Sequence, residues 1–449
     1  MPSSELHQRN RARLSERLQQ RNAAGIFFTA AHKVRNFDAE YRFRPDSDFW
    51  WLTGFAEPDC ALVILPALAA DKPGRTILYL RDKDREKEIW SGRRLGLAAA
   101  PAALGVDEAR NIERLFEDLP QLLVNCERIV YRTGVESERD RRMLEVLATL
   151  RARAKGMIVP PLELLDVNPF THELRLFKTP EELEVMRKAA TITREAHTRA
   201  MRECRPGVNE REIDALLDYT FRARGGSGAA YTNIVAGGSN ACILHYVEND
   251  QPLRDGELIL IDAGAEYQCY ASDVTRTFPV NGSFSPEQRA VYEVVLAAQL
   301  AAIAAVRPGT SFVSVHECAL RVLCEGFLRL GLLSGTLEEV LEKHSYRRFY
   351  MHRTSHWLGL DVHDCGAYVV DSRSRLLEPG MVLTVEPGCY IAADEESVEP
   401  RWRGIGVRIE DDVLVTEKGG EVLTAGIPKT VSEIESLMSS QRFTASAAG

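Results

Sequence analysis

Two stretches of this chain align without a gap: LRDGELILIDAG, residues 253–264, and LEPGMVLTVEPG, residues 377–388. Leu253 matches Leu377, Gly256 matches Gly380, and Asp262 matches Glu386. The likeness extends upstream. TPEE (Thr179 to Glu182) and SPEQ (Ser285 to Gln288) each open a helix with a capping hydroxyl, proline at the first helical position and acid in the first turn. Both helices end in the same breaker, Arg205-Pro206-Gly207 and Arg307-Pro308-Gly309, and another amphipathic helix follows each. A chain written twice in this way is restricted to two copies of one half-domain, related by a pseudo-twofold axis. Each half delivers a carboxylate at the end of a buried strand and a second on a later strand, Asp273 in one and Glu410 in the other. Such a pairing brings four acids to one seam.

The acids sit on apolar backbone. Asp262 ends ELILID, Asp273 lies in YASDVTRTF, Glu386 ends MVLTVE and Glu410 lies in GVRIEDDVLV. Ionised oxygens in such surroundings are costly unless they meet cations. Residues 351–364, MHRTSHWLGLDVHD, hold three of the ten histidines, His352, His356 and His363. The apolar centre of that window and its Gly359 predict an extended segment buried against a sheet. Four carboxylates and an imidazole form a hard, oxygen-rich ligand set, suited to two divalent ions of the Mn, Fe or Co type rather than to structural zinc. Between Asp262 and Asp273, Glu266 to Cys269 predict a tight hairpin, in which residues paired across the strands share a face at about 5 Å between Cβ atoms. Arg408 and Glu410, two apart on a strand, also share a face, so the arginine can hold the carboxylates in place. A single strand acid or core histidine has an ordinary structural explanation. Number and duplication decide otherwise here, because four unpaired buried acids would cost several kcal/mol apiece.

Composition narrows the alternatives. The net charge of −9 argues against nucleic acid as a partner. Nine cysteines, an odd count without a C-x-x-C pair, read as reduced thiols. The most apolar stretch, Ala290 to Val306, is broken by Tyr292, Glu293 and Gln299, so no membrane span is expected. The N-terminal residues lack an apolar signal core, and Glu5 and Glu16 count against a transit peptide; a cytoplasmic protein is expected. Nucleophile-elbow, Walker, G-x-G-x-x-G and H-E-x-x-H patterns do not occur.

The front of the chain reads as alternating α/β structure. A surface helix is followed by strands at GIFFTA, FWWLTGF, CALVILP and RTILYL; helical patterns run from Asp107 to Leu123 and from Ser137 to Ala152, with the strand ERIVYR between. PPLELLDVNPF reads as a linker, which divides the chain into domains 1–170 and 171–449.

These residues resemble the creatinase and prolidase superfamily of pita-bread metallopeptidases, most closely its aminopeptidase P branch. The likeness covers nearly the whole chain: RNFDAEYRFRPDSDFWWLTGFAEPD and WSGRRLG in front, then LIDAG, SDVTRTFPVNG, MHRTSHWLGLDVHD, LTVEPG and GIGVRIEDD. The resemblance implies an α/β protein with a creatinase-like N-terminal domain ahead of a pita-bread catalytic domain. It implies that Asp262, Asp273, His356, Glu386 and Glu410 bind two manganese ions, or cobalt or iron, with Asp273 and Glu410 bridging. His245, His352 and His363 are then the outer histidines that hold substrate and the tetrahedral intermediate, while Tyr231 and Arg408 support the ligands. Asp38, Trp90 and Tyr390 are placed around the substrate, the first two serving a neighbouring subunit of a homo-oligomer, a dimer or tetramer. The reaction implied is release of the first residue from peptides with proline second, through a hydroxide shared by the cations. Glu386 accepts the proton of the attacking water and His363 stabilises the oxyanion. Prolidase, which cleaves Xaa-Pro dipeptides with the same five ligands, is the alternative. A pita-bread binding protein without activity is a third reading, against which the five filled ligand positions count.

Overall fold

A computed structural model of the chain describes residues 4–67, 73–156 and 158–446. It falls into two compact units, Met1–Arg175 and Leu176–Gly449.

The first unit is built on a six-stranded sheet in the order Glu108–Asn111, Arg75–Leu80, Ala61–Leu65, Ala23–Phe28, Arg128–Tyr131, Glu163–Leu165. Ala61–Leu65 runs antiparallel to both of its neighbours, and the remaining adjacent pairs are parallel. Helices Leu115–Leu122 and Ser137–Ala152 bury Leu119, Met143, Leu147 and Leu150 against Ile26, Val63, Ile77 and Ile129 of the sheet.

Three local expectations are corrected. FWWLTGF is not a strand: Ser47–Thr53 is a helix whose N-cap, Asp46, accepts from the Phe49 N–H at 3.0 Å and whose C-cap, Gly54, has φ 62°. All seven helical residues are buried, so no polar face marks its period, and the caps are the remaining signal. PPLELLDVNPF is more than a linker, since Glu163–Leu165 adds a parallel edge strand to Arg128–Tyr131. From Asp107 to Leu123 the chain first forms the strand Glu108–Asn111, and the α-helix starts only at Leu115.

Asp48 carries the main buried charge of this unit. Its carboxylate accepts from Arg175 at 2.8 Å and Arg132 at 2.6 Å, and Asp48 and Arg175 are each 3% exposed. Burial alone would raise its pKa, but Arg175, His172 and Arg132 outweigh that and hold the carboxyl well below the usual range.

The second unit contains the duplicated halves. Helices Pro180–Glu203 and Pro286–Ala305 start at Thr179 and Ser285, each closed by a reciprocal capping box, and the helices Glu210–Ala223 and Phe312–Arg329 follow them. One half then forms a sheet in the order Ile234–Gly237, Leu258–Asp262, Thr275–Pro279; the other forms one in the order Val382–Val385, Asp411–Thr416, Gly419–Val422. Gly256 and Gly380 both take left-handed backbone, φ 80° and 94°, just before the matched strands, so the repeat is written in the backbone as well as the sequence.

Register then sets the seam. Asp262 pairs with Thr275, which leaves Asp273 two residues away on the same face. The expected hairpin is present as Ala265–Tyr267 and Tyr270–Ala271, turned by Gln268 and Cys269 at φ 50° and 65°. Gly264 is obligatory beside it, because a Cβ there would lie 1.6 Å from the Ser272 carbonyl oxygen. In the second half Val385 pairs with Asp411, so Glu386 and Glu410 lie side by side just beyond the ladder. The histidine-rich segment runs along the same strand: the Thr384 N–H donates to the His356 carbonyl and the Leu358 N–H to the Val382 carbonyl. Among the described residues no helix is long and apolar enough to cross a membrane.

The Asp48 cluster yields a pH prediction. A depressed carboxyl contributes stability that is present above its unfolded pKa, about 3.9, and is lost as pH falls through the lower folded value. Asp48→Asn strands Arg175 and is expected to cost about 3 to 5 kcal/mol at pH 7. The gap in melting temperature between the native chain and the variant should narrow as pH falls below 4, and a constant gap from pH 7 to pH 3 would contradict the assignment.

Candidate metal centre

The carboxylates of both halves meet. Tyr231 Oη lies 2.6 Å from Asp262 Oδ1 and 2.5 Å from Asp273 Oδ1. Arg408 Nη2 donates to Asp262 Oδ2 at 2.7 Å, and its Nε donates to Thr275 Oγ1 at 3.0 Å. That hydroxyl passes its own hydrogen to Glu410 Oε2 at 2.7 Å. One guanidinium thus holds an acid of each half, one directly and one through a threonine. His356 Nε2 stands 3.3 Å from Asp273 Oδ2 and 3.7 Å from Glu386 Oε1. Single donor atoms of Asp273, His356 and Glu410 all lie within 4.8 Å of one another.

Hydrogen bonds to carbonyls fix the orientation of two imidazoles. His356 Nδ1 lies 3.0 Å from the Trp357 carbonyl, which can only accept, so Nδ1 carries hydrogen and Nε2 is the ring nitrogen turned to the acids. His352 Nδ1 likewise donates to the Arg353 carbonyl at 2.7 Å. Its Nε2 then accepts from Tyr390 Oη at 2.8 Å, while that oxygen accepts from Arg408 Nη1 at 3.0 Å. Burial and the Arg408 charge lower the His352 pKa to about 3, which keeps it neutral.

The charge balance fits cations. Burial raises the Glu386 carboxyl to about 7 against the pull of His356 and Arg408. Glu410 is pushed well above the carboxylate range by burial and then by Asp273, and Asp262 is raised by burial despite Arg408. For His356 burial opposes protonation, but the Asp273 hydrogen bond and the Glu386 charge prevail and raise its pKa to about 9. Four acids gathered on one guanidinium are short of positive charge, and their donors are oxygen with one nitrogen. That chemistry suits hard divalent ions.

A cavity of about 940 Å³ opens onto the acids, and His245, His352, His356 and His363 line it with Tyr231 and Arg408. The His356 and His363 rings stand 4.3 Å apart, edge to face. Tyr390 is buried behind His352 rather than lining the cavity. Asp38 and Trp90 belong to the first unit: Asp38 lies in the turn between strands Val34–Asn36 and Ala39–Glu40, and Trp90, in helix Arg85–Ser91, is 91% exposed.

Sequence reasoning missed several supporting groups. Thr275 follows Asp273 by two residues, and strand parity alone would have placed it on the acid face. Asp412 receives the Asp273 N–H at 3.1 Å and the Ser272 hydroxyl at 2.8 Å, but in the run EDD only Glu410 matched a repeat position. His316, on helix Phe312–Arg329, reaches Thr354 Oγ1 at 2.8 Å, and the Thr354 carbonyl accepts the Glu386 N–H. No local pattern flags that histidine.

The profile of metallopeptidase family M24 matches residues 184–417, and that of the aminopeptidase P N-terminal domain matches residues 7–131. Over 435 residues the chain is 46% identical to an Xaa-Pro aminopeptidase of Escherichia coli strain K12, which covers 97% of this chain and 98% of that relative. Human Xaa-Pro aminopeptidase 3 is 36% identical over 405 residues, 90% of this chain and 78% of its own length. Among solved structures, Pseudomonas aeruginosa aminopeptidase PepP matches with a TM-score of 0.95 and 46% identity over 98% of this chain and 99% of that one. The chain belongs to metallopeptidase family M24, with an aminopeptidase P N-terminal domain ahead of a pita-bread catalytic domain.

Proposed function

We propose that this chain is a metal-dependent aminopeptidase that hydrolyses the bond between a peptide's first residue and a proline at the second position. The observation that carries the reading is the convergence of four carboxylates and the His356 Nε2 at the floor of one cavity whose wall holds His245, His352 and His363. Similarity along the full chain to Xaa-Pro aminopeptidases supports the substrate class.

Asp262, Asp273, His356, Glu386 and Glu410 hold two manganese ions in this reading. Bound there, such ions polarise a scissile carbonyl and lower the pKa of water, which is the chemistry that amide hydrolysis at neutral pH needs. The chain's own residues do the rest. Glu386 accepts a proton from the attacking water. His363, exposed at the cavity wall, donates to the developing oxyanion. His352, held neutral with its Nδ1–H on a carbonyl, flanks the proline ring together with His245. Departure of the proline nitrogen requires a proton, and Glu386 is the residue placed to return it. Tyr231 and Arg408 keep the acids in register through the bonds described above.

The proposed functional division is a creatinase-like domain, 1–170, ahead of the catalytic domain, 171–449. Asp38 and Trp90 complete the substrate surroundings of a neighbouring subunit of a homo-oligomer, and Tyr390 acts on the substrate only through its bond to His352; the exposure of Trp90 and Phe37, 91% and 98%, supports the first use. The cytoplasm is the proposed compartment, in keeping with nine free cysteines.

Thorough chelation should abolish hydrolysis of Xaa-Pro-Xaa peptides and added Mn(II) should restore it; undiminished turnover by chelated protein would exclude the mechanism. Substrate length separates this reading from prolidase. A tripeptide with proline second is expected to be cleaved with higher kcat/KM than the corresponding Xaa-Pro dipeptide, and the reverse order would replace the proposal with the dipeptidase. His363→Ala should lower kcat by about 10²- to 10³-fold while the protein retains its bound metal, measured by elemental analysis beside steady-state kinetics.

A further inference from the structure

Residues 358–367, which carry His363, form no helix or strand. A catalytic imidazole on irregular backbone still needs a fixed direction, because an error of about 1 Å can cost 10²-fold in rate. The residue that closes this loop is Asp364. Its N–H donates to the Trp357 carbonyl at 2.9 Å, and its Oδ2 accepts from Lys178 Nζ at 2.9 Å. Both side chains of that ion pair are 1% exposed. Lys178 is itself pinned, since its N–H donates to the Gly380 carbonyl at 2.8 Å, just before the strand that delivers Glu386.

The loop is shaped to admit the pair. A Cβ on Gly359 would fall 2.1 Å from Asp364 Oδ2 and 2.9 Å from Lys178 Cε. The Gly359 carbonyl in turn accepts from the Ala271 N–H at 2.8 Å, two residues before Asp273. The ion pair therefore sits on the backbone that carries His363, and is linked to that of Glu386 through the Lys178 N–H and to that of Asp273 through Gly359. Stability is a poor reason for it, since well-packed apolar residues of similar volume often replace such a pair without loss. Direction is a better one. A buried ammonium and carboxylate must stay in contact with each other, where a pair of leucines could repack in several ways.

We infer that Lys178 and Asp364 are positioning residues for His363, fixing the direction of its ring toward the reacting carbonyl without touching substrate. The inference rests on the role given to His363 above, and the test separates the two. Asp364→Asn and His363→Ala are made singly and together, with kcat and KM measured on an Xaa-Pro-Xaa tripeptide alongside thermal unfolding and metal content. Asp364→Asn is expected to lower kcat about 10- to 100-fold with KM nearly unchanged. In the His363→Ala background it should cost no more than about twofold, because a positioning residue has nothing left to position. Equal losses in both backgrounds would assign Asp364 to the fold and overturn the inference. A His363→Ala protein as active as the native chain would overturn the reading of His363 and this inference with it.

Should Asp364→Asn fail to fold, the Lys178→Met, Asp364→Leu double variant removes both charges and runs through the same cycle. It is expected to melt near the native temperature yet show the same His363-dependent fall in kcat. If it unfolds as well, or folds with native kcat, the pair does not position His363.

Discussion

Repulsion among four carboxylates in one buried seam is the constraint around which the second unit is organised. Each acid alone would be driven to its neutral form by burial, and the raised pKa values of Glu386, Glu410 and Asp262 express that tendency. What resists it within the chain is a short relay: Arg408 to Asp262, Arg408 to Thr275, Thr275 to Glu410, and Tyr231 across Asp262 and Asp273. The relay crosses from one half to the other, so the two copies of the repeat are joined at the point where their charges are hardest to reconcile. A guanidinium serves here where an ammonium would not, because its planar fork of donors addresses three acceptors at once.

Around that seam the structure separates charge from recognition. The acids lie at the ends of regular strands, where register fixes them. The histidines that face the cavity come instead from irregular segments, His245 after the 3-10 turn Gly238–Cys242 and His352 and His363 on either side of Trp357, which pairs antiparallel with Leu383. His352 is deprived of its charge by burial beside Arg408, so its wall offers an uncharged surface to an apolar ring. His363 is exposed and keeps a free edge toward solvent.

Much of this arrangement is legible in the sequence, for physical reasons. The capping residues Thr179 and Ser285, the breakers after each helix and the glycines before each matched strand are local signals, and local signals survive in sequence. The acid positions are legible because duplication supplies an internal control for Asp262 and Glu386, and the imidazoles because His352, His356 and His363 crowd one short window. The helix Ser47–Thr53 is hidden because every residue in it is buried and aromatic side chains suit strands as well. The edge strand Glu163–Leu165 is hidden because three residues give no period to read. Thr275, Asp412 and His316 act only through contacts across the fold, and such contacts leave no trace at short range in the chain.

The order of the repeat along the chain has a consequence for biosynthesis. Asp262 and Asp273 belong to a hairpin that can close as soon as it leaves the ribosome, since its partners are few residues apart. Glu386 and Glu410 are translated much later, and so is Arg408, which quiets Asp262. Every nascent copy therefore passes through an interval in which half of an anionic seam exists without its counterweight, and of the two side chains that bond Asp262 only Tyr231 has by then been made.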